Sequence, residues 1–245
     1  MKKRSLFVAT AMLLVAVLVA TGATYAWFNA NTTTSAEISL GVADAATLEI
    51  STDALKVNNV LTWKTAIDTE DFGFNADTKW SDYSTNDSDI LNQTFYVDKY
   101  TDGVLTGFAN EGVPVSQTVH FRSTEQGDIY LNQAASLTSS AGTNSFLRVA
   151  IVQGSNVTIL ANSNVKDTDC VNGTQVTDVT GEQTLTNVTD TTKKLVAMTK
   201  GSGDYYEGSA TFYFWLEGTD ANCVSTVVDA ITNCDFSAVF KQVIA

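Results

Sequence analysis

The sequence predicts an all-β protein, a single large antiparallel β-sandwich preceded by an N-terminal hydrophobic helix. Three observations lead to this prediction: an apolar run near the start of the chain, a body rich in Thr, Val and aromatic residues, and short stretches in which polar and apolar residues alternate. The length of 245 residues suits one export segment followed by one all-β domain.

Residues 1–26 predict export from the cell. Three basic residues at positions 2–4 precede an uncharged apolar run that extends to Ala20, and Thr24 and Ala26 supply small side chains after it. This pattern is typical of a signal peptide that is cleaved between Ala26 and Trp27. A retained membrane anchor is the alternative, because about 20 apolar residues span a bilayer. Both interpretations place the bulk of the protein outside the cell.

The charge of the chain excludes two classes of partner. The formal net charge is −13, and it becomes −16 without residues 1–26, because that stretch holds three positive and no negative residues. A protein this acidic offers no basic surface to nucleic acid or to anionic lipid. Contact with a membrane is therefore expected only through an uncleaved N-terminal segment.

The clearest predicted strand is Ser209–Gly218, where a period of two holds over five steps. Phe212 and Phe214 lie on its apolar face, which we assign to the core, and Tyr213 and Trp215 lie on the other face. The remaining predicted strands are Ala36–Val42, Thr47–Ser51, Gln117–Ser123, Asp128–Leu131, Phe146–Val152, Val157–Leu160 and Asp235–Val243.

Helices have little support in the sequence, and two polar segments interrupt the strands. A helix is an alternative at Ser35–Ala46, and a short surface turn of helix is expected at Thr85–Leu91. Residues 62–92 and 162–190 are rich in polar and turn-forming residues, so we interpret them as insertion loops. The predicted domain organisation is a signal peptide at 1–26, an N-terminal segment at 27–35 and one sandwich domain at 36–245.

The junction between the export segment and the body carries a family resemblance. Gly22–Asn29 (GATYAWFN) is followed by Ala36, Gly41 and Thr47–Ser51 (TLEIS). These residues resemble the start of the TasA and camelysin family, secreted proteins of Gram-positive bacteria. The resemblance implies processing by a dedicated signal peptidase, a jelly-roll body, and self-association into extracellular fibres of the biofilm matrix.

The segment after the predicted cleavage site is a candidate donor strand. Trp27–Ser35 (WFNANTTTS) is rich in β-branched Thr and contains neither Pro nor charge. Such a segment adds as a strand to a sheet of a neighbouring subunit, where backbone hydrogen bonds provide affinity. Phe28 is the expected anchor, with Ala30 and Thr32 on the same face. The family resemblance implies the same mode of assembly, and a frayed terminus is the alternative.

The cysteines predict at most one disulfide within the chain. An exported protein with three cysteines leaves one unpaired or paired between chains. Cys223 and Cys234 are the expected pair, because a short segment between the last two strands separates them. A Cys170–Cys223 bond is the alternative.

Catalysis is not predicted by any motif in the sequence. His120 is the single histidine, which excludes His-Glu-x-x-His zinc chemistry, although camelysin relatives have been described as metalloproteases. There is also no Gly-x-Ser-x-Gly elbow for a serine nucleophile, so we expect His120 to be a solvent-facing or edge residue. A secreted enzyme of unrecognised type is the least favoured function.

Paired acids occur at Asp68, Glu70 and Asp71, at Asp87 and Asp89, and at Asp167 and Asp169. Extracellular calcium sites use clustered carboxylates, and glycosidases use two of them. The spacing matches neither pattern, so we expect solvated loops. No cofactor is predicted, with calcium as the one alternative.

Aromatic residues provide the second function hypothesis, an extracellular polysaccharide-binding module or adhesin. Tyr213 and Trp215 share one face of a strand, and Tyr205 and Tyr206 lie just before it. Exposed aromatic rings stack on sugars, but a sandwich also needs large side chains between its sheets. We therefore favour core packing for these residues and a structural subunit of an extracellular fibre as the function.

Overall fold

The computed structural model describes most of the body of the protein. It covers residues 34–43, 47–75, 78–80, 82–83, 85, 87–93, 95–101, 104–110, 114–162, 170–171, 174–175, 184–201, 203–218, 220, 223 and 231–244. In chain order the strands are β1 (Thr34–Val42), β2 (Leu48–Thr52), β3 (Lys56–Val57), β4 (Val60–Leu61), β5 (Ala66–Asp68), β6 (Lys79–Trp80), β7 (Asp82–Tyr83), β8 (Tyr96–Thr101), β9 (Val104–Asn110), β10 (Val115–Ser123), β11 (Gly127–Leu131), β12 (Ser136–Ser139), β13 (Leu147–Gln153), β14 (Asn156–Ala161), β15 (Cys170–Val171), β16 (Thr174–Gln175), β17 (Leu185–Asn187), β18 (Lys194–Val196), β19 (Thr199–Lys200), β20 (Tyr206–Glu217) and β21 (Asn233–Ile244). A 3₁₀ turn lies at Asp53–Leu55 and an α-helix, α1, at Asp87–Leu91.

Two mixed sheets form the body. Sheet A has the order β18-β11-β21-β1-β5, with β12 also paired to β21 and β6 to β1. Sheet B has the order β17-β14-β13-β20-β10-β2, with β19 and β7 also paired to β20. Three two-stranded ribbons, β3–β4, β8–β9 and β15–β16, complete the described strands. The prediction of an all-β fold is confirmed.

The prediction of a purely antiparallel sandwich is wrong. Within the described residues, β1 pairs parallel with β21, β14 with β17, and β7 with β20. Strands far apart in sequence need no tight turn between them, so nothing in their connection imposes an antiparallel direction. The pairing of β1 with β21 joins the two ends of the predicted 36–245 domain.

The eight predicted strands are confirmed, with boundaries that differ by no more than three residues from those observed. The short helical turn expected at Thr85–Leu91 is confirmed as α1. The helical alternative at Ser35–Ala46 is wrong, because β1 occupies Thr34–Val42. The N-terminal hydrophobic helix stays a prediction, because its residues lie outside the described part of the chain.

The inner faces of the two sheets pack against each other through aromatic rings. Phe212 and Phe214 of β20 are fully buried, as predicted. The ring of Phe212 lies 6.3 Å from that of Phe240, and the ring of Phe214 lies 6.0 Å from that of Phe236, both on β21 of the opposite sheet. Alternate residues of these long strands therefore supply the core.

The outer face of sheet B carries a second apolar cluster. Tyr213 and Trp215 pack there against Ile90, which belongs to α1, and Phe95, which follows α1. The prediction that these aromatics fill the space between the sheets is wrong, because Tyr83, Ile90 and Phe95 cover the outer face of β20 and bury the two rings there. Part of the 62–92 region is therefore a structured cover that also supplies β5 to sheet A and β7 to sheet B.

Two short segments close the sides of the body by crossing from one sheet to the other. On one side, Lys64 forms two backbone hydrogen bonds with Ile50 of β2, at 2.8 and 2.9 Å, and the chain then enters sheet A as β5. On the other side, β17 pairs with β14 in sheet B and β18 with β11 in sheet A. Covered edges protect a β-protein from uncontrolled strand pairing. Much of the predicted 162–190 loop lies outside the described residues.

Candidate functional site

The start of β1 is the point where the predicted donor segment joins the body. β1 pairs with β21 in a parallel register that runs from Ser35 opposite Asn233 to Val42 opposite Phe240. Its other edge pairs with β6 and β5. Between these two strands, the Thr69 hydroxyl accepts a hydrogen bond from the backbone of Ile38 at 2.9 Å. β1 is therefore paired on both edges. The chain enters β1 from its N-terminal side at the end of sheet A next to Asn233.

The C-terminal part of β21 extends beyond β1. The last described backbone hydrogen bond on the β1 side of β21 runs from the Ala43 N–H, just after β1, to the Phe240 carbonyl, at 2.7 Å. We call the row of positions beside this edge of β21 its lane. On the opposite edge, the Asn132 N–H donates to the carbonyl of Val239 at 2.7 Å, and β11 pairs as far as Ile244. We call the edge of Lys241–Ile244 that faces away from β11 the open edge. Within the described residues, no strand lies on it.

The open edge combines unpaired backbone groups with exposed apolar side chains. Successive residues of a strand direct their backbone groups to opposite edges. The Val239 carbonyl faces the β11 side and the Phe240 carbonyl faces the β1 side. The N–H and carbonyl of Gln242, two residues after Phe240, therefore face the open edge. Val243 is 43% exposed and Ile244 is 66% exposed. An unpaired strand edge with apolar residues is a template for pairing with another chain.

Two carboxylates lie side by side near the start of β1. Glu37 and Asp235 are register partners on the parallel pair β1–β21. Partial burial raises the pKa of Asp235, and the negative charge of Glu37 and a hydrogen bond with it raise that pKa further. The side-chain amide of Asn233 donates to Asp235 at 3.1 Å and partly offsets this effect. The pair weakens the β1–β21 contact when both groups are ionised.

The residues predicted for cleavage and strand donation lie outside the described residues. These are Ala26 and Trp27 at the cleavage site, and Phe28, Ala30 and Thr32 in the donor segment. Their roles therefore stay predictions.

The predicted disulfide partners are both buried. Cys234 lies in β21 and Cys223 in the loop after β20, and both belong to the main core cluster. Cys234 is a free thiol in the structure, where the Cys223–Cys234 bond is not formed. Burial raises the pKa of the Cys234 thiol, and the neighbouring Asp235 charge acts in the same direction. Pairing under oxidising conditions stays a prediction.

The acids at 68–71 are engaged in a turn and an ion pair. The Asp68 carboxylate accepts the backbone N–H groups of Glu70 and Asp71, each at 3.1 Å. The Asp71 carboxylate lies 2.6 and 2.7 Å from the Lys64 ammonium. Among the residues that the structure describes, no group of three potential metal ligands occurs. Asp167 and Asp169 are not among them, and calcium stays an untested alternative.

His120 lies on the outer face of β10, which is flanked by β2 and β20 and is thus not an edge strand. Its Nε2 lies 2.8 Å from the carboxylate of Asp53, which also forms an ion pair with Lys56. Partial burial opposes ionisation of Asp53, but the hydrogen bonds from Lys56 and His120 outweigh it and lower the pKa of Asp53. This group links the 3₁₀ turn to β10.

The aromatic residues proposed as a sugar platform are committed to packing. Tyr213 is 5% exposed and Trp215 is fully buried, so neither offers a ring face to a polysaccharide. Tyr205 and Trp63 lie against the Arg122 guanidinium, with ring centroids 4.6 and 4.5 Å from its central carbon. Cation–π contacts of this kind hold surface segments together.

A buried charged cluster was missed by the sequence analysis. Arg148 and Glu217 are fully buried, and Asp220 is 7% exposed. A guanidinium nitrogen of Arg148 lies 3.3 Å from the Asp220 carboxylate, and the Glu217 carboxylate accepts the Trp215 indole N–H at 3.0 Å. Buried charges need such partners. One signal was available: Arg148 stands alone within an apolar strand.

One surface cleft of about 440 Å³ lies beside the β13–β14 turn. Leu91, Lys193 and Lys194 line it together with polar residues of that turn. Lys194 forms an ion pair with Asp128 at 3.3 Å, and the Gln153 amide donates to the Ala197 carbonyl at 2.9 Å. Its described lining contains no aromatic ring for stacking on a sugar.

Comparisons with known proteins give no relative: no family model, curated protein or solved structure matches the chain. No helix of the described residues is long and apolar enough to span a membrane. The resemblance to the TasA and camelysin family therefore stays a prediction that rests on residues 22–51.

Proposed function

We propose that this protein is an exported structural subunit of an extracellular fibre or cell-surface matrix, which assembles by donation of its N-terminal strand. The jelly-roll body, the cleavage between Ala26 and Trp27 by a dedicated signal peptidase, and a role without catalysis are parts of the same proposal. Assembly of this kind needs no cofactor and no second protein.

The observation that carries this proposal is the place where the chain enters the body. β1 is paired on both edges from its first residues, and Thr34 lies at one end of sheet A. The uncharged segment 27–33 precedes it directly in sequence. Because both edges of β1 are occupied, β1 offers this segment no free edge, and we expect the segment to pair with a neighbouring copy.

Strand donation also explains how such an assembly grows. A donor segment at one end of a subunit and an acceptor elsewhere make a head-to-tail contact, which does not close on itself and therefore propagates. Backbone hydrogen bonds provide the affinity, and Phe28 provides an apolar anchor. In the described part of the chain, the segments that cross between the sheets cover part of the other edges.

Negative-stain microscopy of the mature protein tests the proposal. The chain beginning at Trp27 should form fibres, and a variant lacking residues 27–33 should remain a folded monomer. The deletion ends at residue 33 because β1 begins at Thr34. Phe28→Asp should abolish fibres, while Phe28→Leu, the matched control, should retain them. Fibres formed equally by the truncated chain would contradict strand donation.

Intact-mass analysis of the secreted protein tests the processing step. A mass that corresponds to a start at Trp27 is expected. A secreted species that retains residues 1–26 would support the membrane-anchor alternative instead.

A further inference from the structure

We propose that the acceptor for the donor segment is the open edge of β21, at Lys241–Ile244, in a second copy of this chain. The inference rests on the proposed function and specifies which surface receives the strand. The occupant is residues 27–33 of the neighbouring subunit, added parallel to β21 beyond the Ala43–Phe240 hydrogen bond, where no strand of the described residues lies.

The parallel pairing of β1 with β21 supplies the geometry. β1 enters its lane beside Asn233 and leaves it beside Phe240, so the two ends of this lane lie at opposite ends of β21. In a second copy placed end to end, β1 starts beyond Ile244 of the first copy, so its residues 27–33 lie beside the open edge. Its residues 27–33 run in the same direction as β1, because they continue into it.

The lengths of the two partners are compatible. Seven residues in an extended conformation span about 23 Å at 3.3 Å per residue. The open edge comprises the four residues Lys241–Ile244, or about 13 Å on the same basis. The difference leaves enough chain to connect the paired stretch with Thr34 of the neighbouring body.

The chemistry of the open edge fits this occupant. The N–H and carbonyl of Gln242 point into the vacant lane, and no hydrogen bond within the described residues satisfies them. The exposed side chains of Val243 and Ile244 provide apolar surface near the place where Phe28 would pack. The donor segment has no ionisable side chain, so its insertion does not desolvate an ionised side chain.

A substitution at Gln242 affects the open edge selectively, because the neighbouring residues Lys241 and Val243 direct their backbone groups to β11. Gln242→Pro removes the N–H that faces the vacant lane and places the proline ring there, while the neighbouring residues keep their bonds to β11. The side chain accepts a hydrogen bond from the Ser123 hydroxyl at 2.7 Å and donates to the Glu125 carbonyl at 2.6 Å. Gln242→Ala loses the same two bonds but keeps the N–H, so it is the matched control.

The experiment measures polymer formation by light scattering and mass by size-exclusion chromatography with multi-angle scattering. Gln242→Pro in the mature chain should polymerise at least 10-fold more slowly than Gln242→Ala, at similar melting temperatures. The variant lacking residues 27–33 should also remain monomeric. A mixture of this deletion variant with Gln242→Pro should form a one-to-one dimer that does not grow, because one partner only donates and the other only accepts.

The outcomes separate the two proposals. If the deletion variant is monomeric and Gln242→Pro polymerises like Gln242→Ala, the acceptor is not the open edge, while strand donation still stands. A mixture that stays monomeric likewise rejects the open edge. If the deletion variant itself polymerises, or if the mature wild-type chain forms no polymer, the proposed function fails and the acceptor assignment fails with it.

Discussion

Phe214 contacts four other aromatic rings at the centre of the core between the two sheets. Its ring lies 5.3 Å from Trp80 and 6.0 Å from each of Phe72, Phe74 and Phe236, measured between centroids. Trp80, Phe72 and Phe74 belong to the segment that covers one end of the body, and Phe236 belongs to the opposite sheet. A single side chain thus connects β20 to two other parts of the fold.

Phe214→Ala should therefore lower the free energy of unfolding by about 3–5 kcal/mol, because it leaves a large cavity among rings that cannot all relax. The measurement is urea denaturation of the mature protein. Tyr213→Phe is the control on the other face: it keeps the ring that packs on Phe95 and should cost less than about 1.5 kcal/mol. A larger loss for the control would mean that the Tyr213 hydroxyl contributes more to stability than the packing of the Phe214 ring.

The pH dependence of stability should contain two carboxylate contributions of opposite sign. The pKa of Asp235 is raised in the folded protein, so the folded state binds more protons there and stability falls as the pH rises above about 4. The pKa of Asp53 is lowered, so its stabilising contribution is present above about pH 4 and is lost as the pH falls through the folded pKa.

Asp235→Asn should accordingly raise the melting temperature at neutral pH and remove the decline above about pH 4. Asp53→Asn, the control with the opposite expectation, should lower the melting temperature at neutral pH. Thermal melts between about pH 3 and 7 provide the comparison. A lower melting temperature for Asp235→Asn at neutral pH would show that repulsion from Glu37 is not the dominant effect.

The residues of the core were predictable, and the polar contacts were not. Alternation along β20 identified Phe212 and Phe214, because a period of two reports which side chains share a face. The same pattern could not show where Tyr213 and Trp215 would be buried, since the cover of the outer face is supplied by residues more than a hundred positions earlier. The ion pair between Arg148 and Asp220 likewise joins residues 72 positions apart.

At the scale of elements, the β3–β4 hairpin shows local sequence acting alone. Val57 pairs with Val60, and the two residues between them, Asn58 and Asn59, have φ angles of 53° and 65°. Two-residue hairpins favour positive φ at both central positions, and Asn tolerates this region better than most residues. Val57 and Val60 are about two-thirds exposed, so the core contributes little to this turn.

Asn59→Ala should destabilise the protein by about 1 kcal/mol, because alanine has a steric penalty in the left-handed region. Asn59→Gly should be neutral or slightly stabilising, since the Asn-Gly sequence is favoured at this position of such turns. Chemical denaturation measures both variants. Equal stabilities for the alanine and glycine variants would indicate that the turn opens in solution at no cost.

Strand positions could be predicted from the sequence, whereas strand partners could not. A period of two and flanking turn residues locate a strand, but they contain no information about which distant strand lies beside it. The parallel pairing of β1 with β21 and the crossing segments at β5 and β18 were therefore missed. The candidate acceptor, the open edge of β21, follows from these pairings and has no signature in the sequence.

At the scale of the whole molecule, the acidic charge should govern assembly. A chain without residues 1–26 carries a formal charge of −16, and the proposed end-to-end contacts would bring such chains close together. Repulsion between them extends over about 30 Å at 0.01 M salt and over about 8 Å at 0.15 M salt. Polymerisation of the mature protein should therefore accelerate when salt rises through this range.

Light scattering at matched protein concentrations measures this effect, with Asp235→Asn and wild type compared at each salt concentration. Replacing NaCl by an equal ionic strength of potassium chloride is the control for specific ions. If polymerisation slows as salt is added, attraction between unlike charges would have to drive the contact, and a purely backbone-mediated assembly would be contradicted.

The parallel pairing of β1 with β21 also limits the order in which sheet A can form. β1 is synthesised long before its partner, because the paired residues Ser35 and Asn233 lie almost 200 residues apart in sequence. Contacts between residues so far apart in sequence form slowly, because closing the long loop between them costs chain entropy before the contact contributes stability. β1 therefore cannot gain this partner until β21 has been synthesised. Sheet A, which contains both strands, consequently closes late in folding, and a chain truncated before Asn233 would lack the strand that pairs with β1.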